Sequence, residues 1–212
     1  STNFVNPHGL FDANQYTTAK DMALITKYAM SLSKFSEIAN TTSYSIGTSN
    51  KHTEPRTVTH TNLMLDKVKG GEYYYQYAKG IKTGTLDESG RCLVSTASKD
   101  GYNYLLITFN APLKDAEGTN KFYNFTDAKT LYDWAFNYFK YTNILTTDEE
   151  IGEVPVKFSD GNDYVLVHPA KDFTTLWPST LDMTSVQRIV NLEDKVTAPV
   201  TAGQKLGTIE LR

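Results

Sequence analysis

The fold is decided by residues 80–109, which read GIKTGTLDESGRCLVSTASKDGYNYLLITF. Two runs of β-favouring residues, Cys92–Thr96 and Tyr104–Phe109, flank the tripeptide Lys99-Asp100-Gly101. An Asp-Gly pair between such runs is typical of a tight hairpin turn, because glycine adopts the positive φ angle that the turn needs. We therefore predict an antiparallel hairpin, preceded by a strand that carries Lys82-Thr83-Gly84.

Helical patterns lie on both sides of this region. Thr18-Ala19-Lys20-Asp21 is a capping-box type of helix start. Apolar residues at helical spacing predict the buried faces of two helices, one starting near Thr18 and one from Thr126. The predicted buried residues are Met22, Ile25, Ala29 and Leu32 in the first helix, and Ala128, Leu131, Trp134 or Ala135, and Tyr138 in the second. Helices packed on antiparallel strands are an α/β or α+β arrangement. Between the first helix and the Lys-Thr-Gly strand, the polar residues 40–77 are interpreted as long loops.

The charge changes along the chain. Residues 1–145 have a net charge of +2, whereas residues 146–212 have a net charge of −5. The later segment also contains short β-branched runs separated by turn residues, which predict a small all-β domain. These runs are Val154–Lys157, Tyr164–Val167, Gln187–Val190, Lys195–Ala198 and Leu206–Ile209. We therefore predict two domains, residues 1–145 and residues 146–212.

Composition excludes several functions. The net charge is −3 with a pI near 5.8, which argues against a nucleic-acid binder. Cys92 is the single cysteine, so an internal disulfide or a multi-cysteine metal site is impossible. The histidines have no metal-ligand spacing, and no metal or cofactor is predicted. The chain opens on Ser1-Thr2-Asn3 without Met, from which we expect a processed or cut N-terminus.

Lys82-Thr83-Gly84 suits recognition of an acyl substrate that ends in a carboxylate. The ammonium provides a fixed positive charge, and the threonine hydroxyl can bond the carboxylate. A glycine without a Cβ lets a substrate backbone lie against the strand edge. The backbone N–H of Thr85 can serve one side of an oxyanion hole. The same tripeptide also fits an ordinary solvated strand edge.

Several ordered blocks lie along the whole chain: Thr2–Leu10, Tyr16–Ile25, Thr61–Met64, Gly80–Thr85, Gly90–Ala97, Leu131–Phe136 and Pro199–Gly207. In sequence and order these blocks resemble one family, the serine-type D-alanyl-D-alanine carboxypeptidases. The members of this family are low-molecular-weight penicillin-binding proteins, peptidase family S11. The resemblance implies an α+β fold: the C-terminal part of a penicillin-binding, β-lactamase-like transpeptidase domain, followed by a small β domain.

The family needs three motifs, Ser-x-x-Lys, Ser-x-Asn and Lys-Thr-Gly. The first two normally precede the block that contains Asn6-Pro7-His8-Gly9, so we expect them to lie on a segment absent from this chain. Ser31-Leu32-Ser33-Lys34 and Thr48-Ser49-Asn50 spell similar motifs, but both follow that block. They are interpreted as chance matches, and the chain alone is expected to be inactive.

The resemblance implies a function for the intact protein. It would remove the terminal D-Ala from peptidoglycan stem pentapeptides through an acyl-enzyme on the absent serine, and β-lactams would acylate the same serine. Lys82 would be catalytic, and Thr83, Gly84 and Thr85 would bind substrate. Partners would be the stem peptide and the N-terminal part of the same domain, at an extracytoplasmic envelope location. A C-terminal membrane anchor, common in relatives, would have been removed.

One position departs from the family pattern. Several relatives have an arginine that helps to bind the substrate carboxylate about ten residues before the position of Trp134, where this chain has Asn124. Either the threonine hydroxyls bind the carboxylate or Lys121, the nearest cation in sequence, replaces the arginine.

Two alternative functions stay open. A class A β-lactamase shares the three motifs, although the β domain and the Asn-Pro-His-Gly block argue against it. A non-catalytic scaffold that binds cell-wall material is the other alternative.

Overall fold

The structure, a computed structural model, describes residues 1–212. It forms two compact units, Ser1–Phe136 and Asn137–Arg212. The domain boundary predicted at residue 145 rests on composition and stays a prediction. No helix combines the length and the apolar character that a membrane crossing requires. The first unit contains α1 (Ala19–Met30), α2 (Ser33–Asn40), β1 (Ser43–Ile46), β2 (Arg56–Thr59), α3 (Lys67–Gly70), β3 (Ala78–Leu86), β4 (Gly90–Lys99), β5 (Tyr102–Ala111) and α4 (Tyr123–Tyr138). The last two residues of α4 belong to the second unit.

An antiparallel sheet in the order β3-β4-β5 organises the first unit. Asp100 and Gly101 form the turn between β4 and β5, with φ angles of 51° and 83°. Two successive positive φ angles fit the twist of a two-residue hairpin, as the Asp-Gly pair predicts. Because β4 is the middle strand, β3 pairs on one side only and is an edge strand.

Helix α4 packs against the sheet through an aromatic stripe. Its buried residues at helical spacing are Phe125, Ala128, Tyr132 and Phe136, and they join Leu93 of β4 in the main core. The predicted stripe is correct at Ala128, and the predicted positions Ala135 and Tyr138 are half-buried. It is wrong at Leu131 and Trp134, which are 46% and 50% exposed. Tyr132 can be buried because its hydroxyl lies 2.8 Å from the hydroxyl of Ser95, so neither polar group lacks a partner.

Helix α1 begins where the sequence predicts. The Thr18 hydroxyl accepts a hydrogen bond from the Asp21 N–H at 3.0 Å and caps the helix. Its inner face agrees with the prediction at Met22, which faces inward, and at Ala29, which is half-buried. The prediction is wrong at Ile25 and Leu32, which are exposed, and Thr26 and Met30 face inward instead. Met22 and Met30 pack on a second, smaller core of Ala39, Ile81 and Val94.

Residues 40–77 are more ordered than the predicted loops. They contain the antiparallel pair β1–β2 and the short helix α3 between two 3-10 turns. This strand pair was not predicted from the polar, threonine-rich sequence, because each strand has only four residues and all of them are exposed.

The second unit is all β after the end of α4. Its strands are β6 (Phe139–Leu145), β7 (Gly152–Lys157), β8 (Tyr164–Val167), β9 (Phe173–Pro178), β10 (Arg188–Leu192), β11 (Val196–Thr197) and β12 (Gly207–Leu211). All five predicted strands are present, and two additional strands, β6 and β9, were not predicted. Strands β6 and β9 pair antiparallel, β7 pairs antiparallel with β8 and parallel with β11, and β10 pairs antiparallel with β12. The core of this unit contains Ile144, Leu145, Val154 and Leu206.

Candidate active site

A cleft of about 990 Å³ lies along the edge strand β3 in the first unit. One wall is formed by Lys82, Thr83, Gly84 and Thr85. Residues 7–12, from the Asn-Pro-His-Gly block, also line it. Two stretches that are distant in sequence therefore meet at one cleft, beside a strand edge that has room for an extended ligand.

Lys82 presents its charge in an exposed position. Its Nζ donates a hydrogen bond to the Thr83 carbonyl at 2.6 Å, within the same strand. It takes part in none of the ion pairs of the structure. The ammonium is therefore not neutralised by a protein carboxylate, as a group that recognises an anion requires.

The Thr83 hydroxyl is positioned by the loop that contains Thr61 and Asn62. The two threonine hydroxyls are 2.6 Å apart. Asn62 is buried; its Nδ2 donates to the Gly80 carbonyl at 2.8 Å and its Oδ1 accepts from the Met64 N–H at 3.0 Å. These bonds tie the Thr61–Met64 block to β3, so the hydroxyl pair at the cleft has a fixed support.

Gly84 has no neighbour within the chain that demands glycine. A Cβ at this position would lie 3.5 Å from the Cβ of Cys92, an ordinary van der Waals contact. Folding alone therefore accepts alanine here. The missing side chain leaves space on the cleft side of the strand, which suits close approach by a ligand backbone.

His60 lies near Lys82 and stays neutral more readily than an ordinary histidine. Burial is the main cause that lowers its pKa below 6.5, and the positive charge of Lys82 adds to the effect. Its Nδ1 accepts a hydrogen bond from the Asn62 N–H at 2.9 Å. His60 belongs to no motif of the sequence, so this supporting role was not predicted.

Arg91 is the cleft residue that the sequence analysis missed. It lies on β4 directly opposite Thr85 in the antiparallel register, so the two side chains share one face of the sheet. Its Nε donates to the Lys121 carbonyl at 2.8 Å, and its guanidinium carbon lies 4.0 Å from the centre of the Phe122 ring. The strand register, once Lys82-Thr83-Gly84-Thr85 is paired with β4, was the signal that could have identified it.

Lys121 and Asn124 differ in their relation to the cleft. Asn124 lines it and is buried, and its Oδ1 has no hydrogen-bond partner. Lys121 is exposed and is not among the residues that line the cleft. Only its backbone carbonyl reaches toward the site, through the bond to Arg91.

The two motifs that were interpreted as chance matches make local contacts. In Thr48-Ser49-Asn50, the Ser49 hydroxyl accepts hydrogen bonds from the N–H groups of Lys51 and His52 at 3.3 and 3.2 Å. The Ser31 hydroxyl donates to the Tyr28 carbonyl at 2.6 Å at the end of α1. Lys34 pairs with Glu37 at 2.8 Å, and this hydrogen bond raises the pKa of the Lys34 ammonium. Neither side chain lines the cleft that contains Lys82.

His8 and the tyrosines before β3 also have structural contacts. The Nδ1 of His8 accepts from the Leu10 N–H at 3.2 Å within its turn. Tyr75 is buried in the main core and donates from its hydroxyl to the Asp133 carboxylate at 2.8 Å. Tyr73 and Tyr77 pack against the same core.

Solved structures with the same architecture are penicillin-binding proteins and related enzymes. Penicillin-binding protein 5 from Haemophilus influenzae is 26% identical, with a TM-score of 0.58, and the match covers all of this chain and 56% of that one. The D-alanyl-D-alanine carboxypeptidase DacD from Francisella tularensis, 16% identical with a TM-score of 0.62, shares the fold over 99% of this chain and 59% of its own. The fold is thus of the penicillin-binding class, α+β with a C-terminal β domain.

Sequence comparisons assign the chain to a family. The family model described as D-alanyl-D-alanine carboxypeptidase matches residues 1–113, and the one described as penicillin-binding protein 5, C-terminal domain, matches residues 139–212. The chain belongs to the D-alanyl-D-alanine carboxypeptidase family, peptidase family S11, as the motif blocks predict.

The relatives are longer than this chain. D-alanyl-D-alanine carboxypeptidase DacF of Bacillus subtilis (strain 168) is 26% identical over 213 aligned residues, which cover 100% of this chain and 50% of the relative. DacA of Haemophilus influenzae is 28% identical and is matched over 48% of its length by 99% of this chain. The chain therefore spans about half the length of these curated relatives.

Proposed function

We propose that this chain forms the Lys-Thr-Gly side of the active site of a serine-type D-Ala-D-Ala carboxypeptidase. The enzyme removes the terminal D-Ala from peptidoglycan stem pentapeptides through an acyl-enzyme, and β-lactams acylate it. The observation that carries the proposal is the cleft along edge strand β3, where Lys82–Thr85 faces residues 7–12. Membership of the family supports the same reaction.

The residues of the cleft have distinct proposed roles. The Lys82 ammonium supplies positive charge and assists proton transfer, and the Thr83 hydroxyl binds the terminal carboxylate. The Thr85 N–H donates to the oxyanion that forms as the carbonyl is attacked, and Gly84 gives the substrate access to the strand. The attacking serine and its lysine base belong to a Ser-x-x-Lys segment outside residues 1–212.

The exposed apolar surface of the first unit supports the proposal that another segment completes the catalytic domain. Large hydrophobic side chains that are normally buried lie open to solvent near the N-terminal block and on α1 and α2. They are Phe4, Leu10, Phe11, Leu24, Tyr28 and Ile38. We propose that the segment with Ser-x-x-Lys and Ser-x-Asn packs on this surface. The enzyme works outside the cytoplasmic membrane, where peptidoglycan lies.

A fluorescent penicillin tests the proposal. The complete gene product that contains residues 1–212 is expected to take up one label per molecule on a serine outside these residues, and to release D-Ala from a pentapeptide. Residues 1–212 alone are expected to stay unlabelled, because Ser31 caps a helix and lies outside the cleft.

Other outcomes would point elsewhere. Rapid turnover of the β-lactam by the complete gene product would indicate a β-lactamase. An absence of both label and D-Ala release would contradict any enzymatic function and favour a cell-wall-binding scaffold. A stoichiometric adduct on Ser31 would show that the motif at residues 31–34 is functional.

A further inference from the structure

A second cation faces the same cleft, and it is not part of the Lys-Thr-Gly motif. Arg91 and Thr85 are directly opposed in the β3–β4 register, where Cβ atoms are about 4.5–5.5 Å apart. The Thr83 side chain lies diagonally across on the same face, within reach of a side chain as long as arginine. Arg91 therefore lines the same cleft as Thr83 and Thr85.

The position of the Arg91 side chain is fixed. The Nε donates to the Lys121 carbonyl at 2.8 Å, and the guanidinium stacks over the Phe122 ring at 4.0 Å. The first contact is to a main-chain oxygen and the second to the face of a ring. A guanidinium held in this way loses little conformational entropy when it binds an anion.

The two terminal amino groups of Arg91 stay available. Arg91 forms no ion pair, although the carboxylates of Asp12 and Glu88 line the same cleft. Two parallel N–H groups of guanidinium match the two oxygens of a carboxylate in a bidentate hydrogen bond. A half-buried, rigid and unpaired arginine at a cleft is a suitable receptor for a carboxylate.

The cleft also holds an acceptor without a donor. Asn124 is 2% exposed, and its Oδ1 has no partner. Buried polar atoms in native proteins are nearly always paired, so this oxygen is suited to an N–H group that a ligand brings. An acylated D-amino acid offers both complementary groups, an amide N–H and a terminal carboxylate.

We propose that Arg91 binds the C-terminal carboxylate of the substrate and the equivalent carboxylate of β-lactams. The inference rests on the proposed carboxypeptidase function and names the residue that selects an anionic substrate terminus. Arg91 would bind the carboxylate together with the Thr83 hydroxyl, so the cation at this site would come from β4 and not from Lys121.

The test compares benzylpenicillin with its methyl ester as acylating agents of the complete gene product. In wild-type protein the acid is expected to react faster than the ester. Arg91→Gln is expected to slow acylation by the acid roughly 10- to 100-fold, because a charge-assisted hydrogen-bond pair is lost. Acylation by the ester is expected to change by less than about threefold. Arg91→Lys should restore part of the selectivity through its charge.

The matched control is Lys121→Gln, which removes a nearby cation whose side chain lies outside the cleft. It is expected to leave both rates unchanged. Equal slowing of acid and ester in Arg91→Gln would mean a merely structural role, and a loss of selectivity in Lys121→Gln would move the carboxylate site to that residue. If wild-type protein reacts with neither compound, the proposed function fails together with this inference. If wild-type protein reacts normally but Arg91→Gln keeps its selectivity, this inference alone fails.

Discussion

Gly80 on β3 is required by the fold. Its φ angle is +66°, and a Cβ at this position would lie 2.9 Å from the Ala39 carbonyl oxygen at the end of α2. Gly80→Ala is therefore expected to lower the free energy of unfolding by about 1–3 kcal/mol, because both the left-handed backbone conformation and the contact with the Ala39 carbonyl oxygen are unfavourable for alanine. Urea unfolding of residues 1–212 measures the change. An unchanged midpoint would mean that the strand and α2 can separate without cost.

Gly84 on the same strand is expected to serve the ligand. Gly84→Ala should leave stability unchanged or raise it by up to about 1 kcal/mol, because alanine is favoured over glycine within a strand and only an ordinary contact with Cys92 results. In the complete gene product, the same substitution should slow acylation by penicillin by about 10- to 100-fold, because the methyl group displaces the ligand backbone. Unfolding and acylation are measured on the same variant. Normal acylation would contradict close approach of the ligand to this strand.

His60 makes stability depend on pH. Its folded pKa lies below 6.5, so the stabilisation of the neutral form is complete above that value and is lost as the pH falls through the lowered pKa. Residues 1–212 are expected to lose stability between pH 7.5 and pH 5, and His60→Gln should lose less over the same interval. Urea titrations at both pH values provide the measurement, with the exposed His52→Gln as the matched control. An equal loss in wild-type protein and His60→Gln would contradict this origin.

Single residues of the site were predictable where they belong to a motif. Lys82-Thr83-Gly84-Thr85 could be identified because the letters are contiguous, and their placement on one cleft wall is compatible with the predicted role. Arg91 could not be recognised in the same way, because its relation to the cleft depends on strand register and on contacts with Lys121 and Phe122. A role that depends on a neighbouring element requires the three-dimensional arrangement.

Some secondary-structure elements were also predictable from the local sequence, and others were not. The β4–β5 hairpin was predictable because its turn chemistry is local, and the cap at Thr18 was predictable for the same reason. The inner face of α4 was not, since apolar residues occur all around this helix and both Leu131 and Tyr132 fit a helical stripe. The Ser95 hydroxyl opposite Tyr132 decides between them.

Substitutions on α4 can distinguish the two faces. Phe125 is 2% exposed, so Phe125→Ala is expected to cost about 3–5 kcal/mol of unfolding free energy through lost burial and the resulting cavity. Leu131→Ala, on the half-exposed side, should cost less than about 1 kcal/mol. Both are read from urea unfolding of residues 1–212. If the two substitutions lower the free energy of unfolding by comparable amounts, Leu131 is packed as tightly as Phe125.

At the scale of the whole molecule, the first unit combines well-packed cores with a large exposed apolar surface. The first unit has a packed aromatic core between α4 and the sheet. Its opposite side has only the small core of Ala39, Ile81 and Val94, and α1 exposes Leu24 and Tyr28 beyond it. A surface of this kind indicates an interface in a larger assembly, which agrees with a chain that spans half the length of its relatives.

Leu24 allows this interpretation to be tested. Leu24 is 60% exposed, so Leu24→Ser in residues 1–212 should have an effect close to that of Lys27→Ser, an exposed position on the same helix with a similar loss of helix propensity. In the complete gene product, Leu24→Ser should cost about 1.5–3 kcal/mol more than Lys27→Ser, because a buried leucine side chain is worth that amount. Urea unfolding of the four variants gives the comparison. If the two substitutions have the same effect in both contexts, the proposal that a Ser-x-x-Lys segment packs on α1 is wrong.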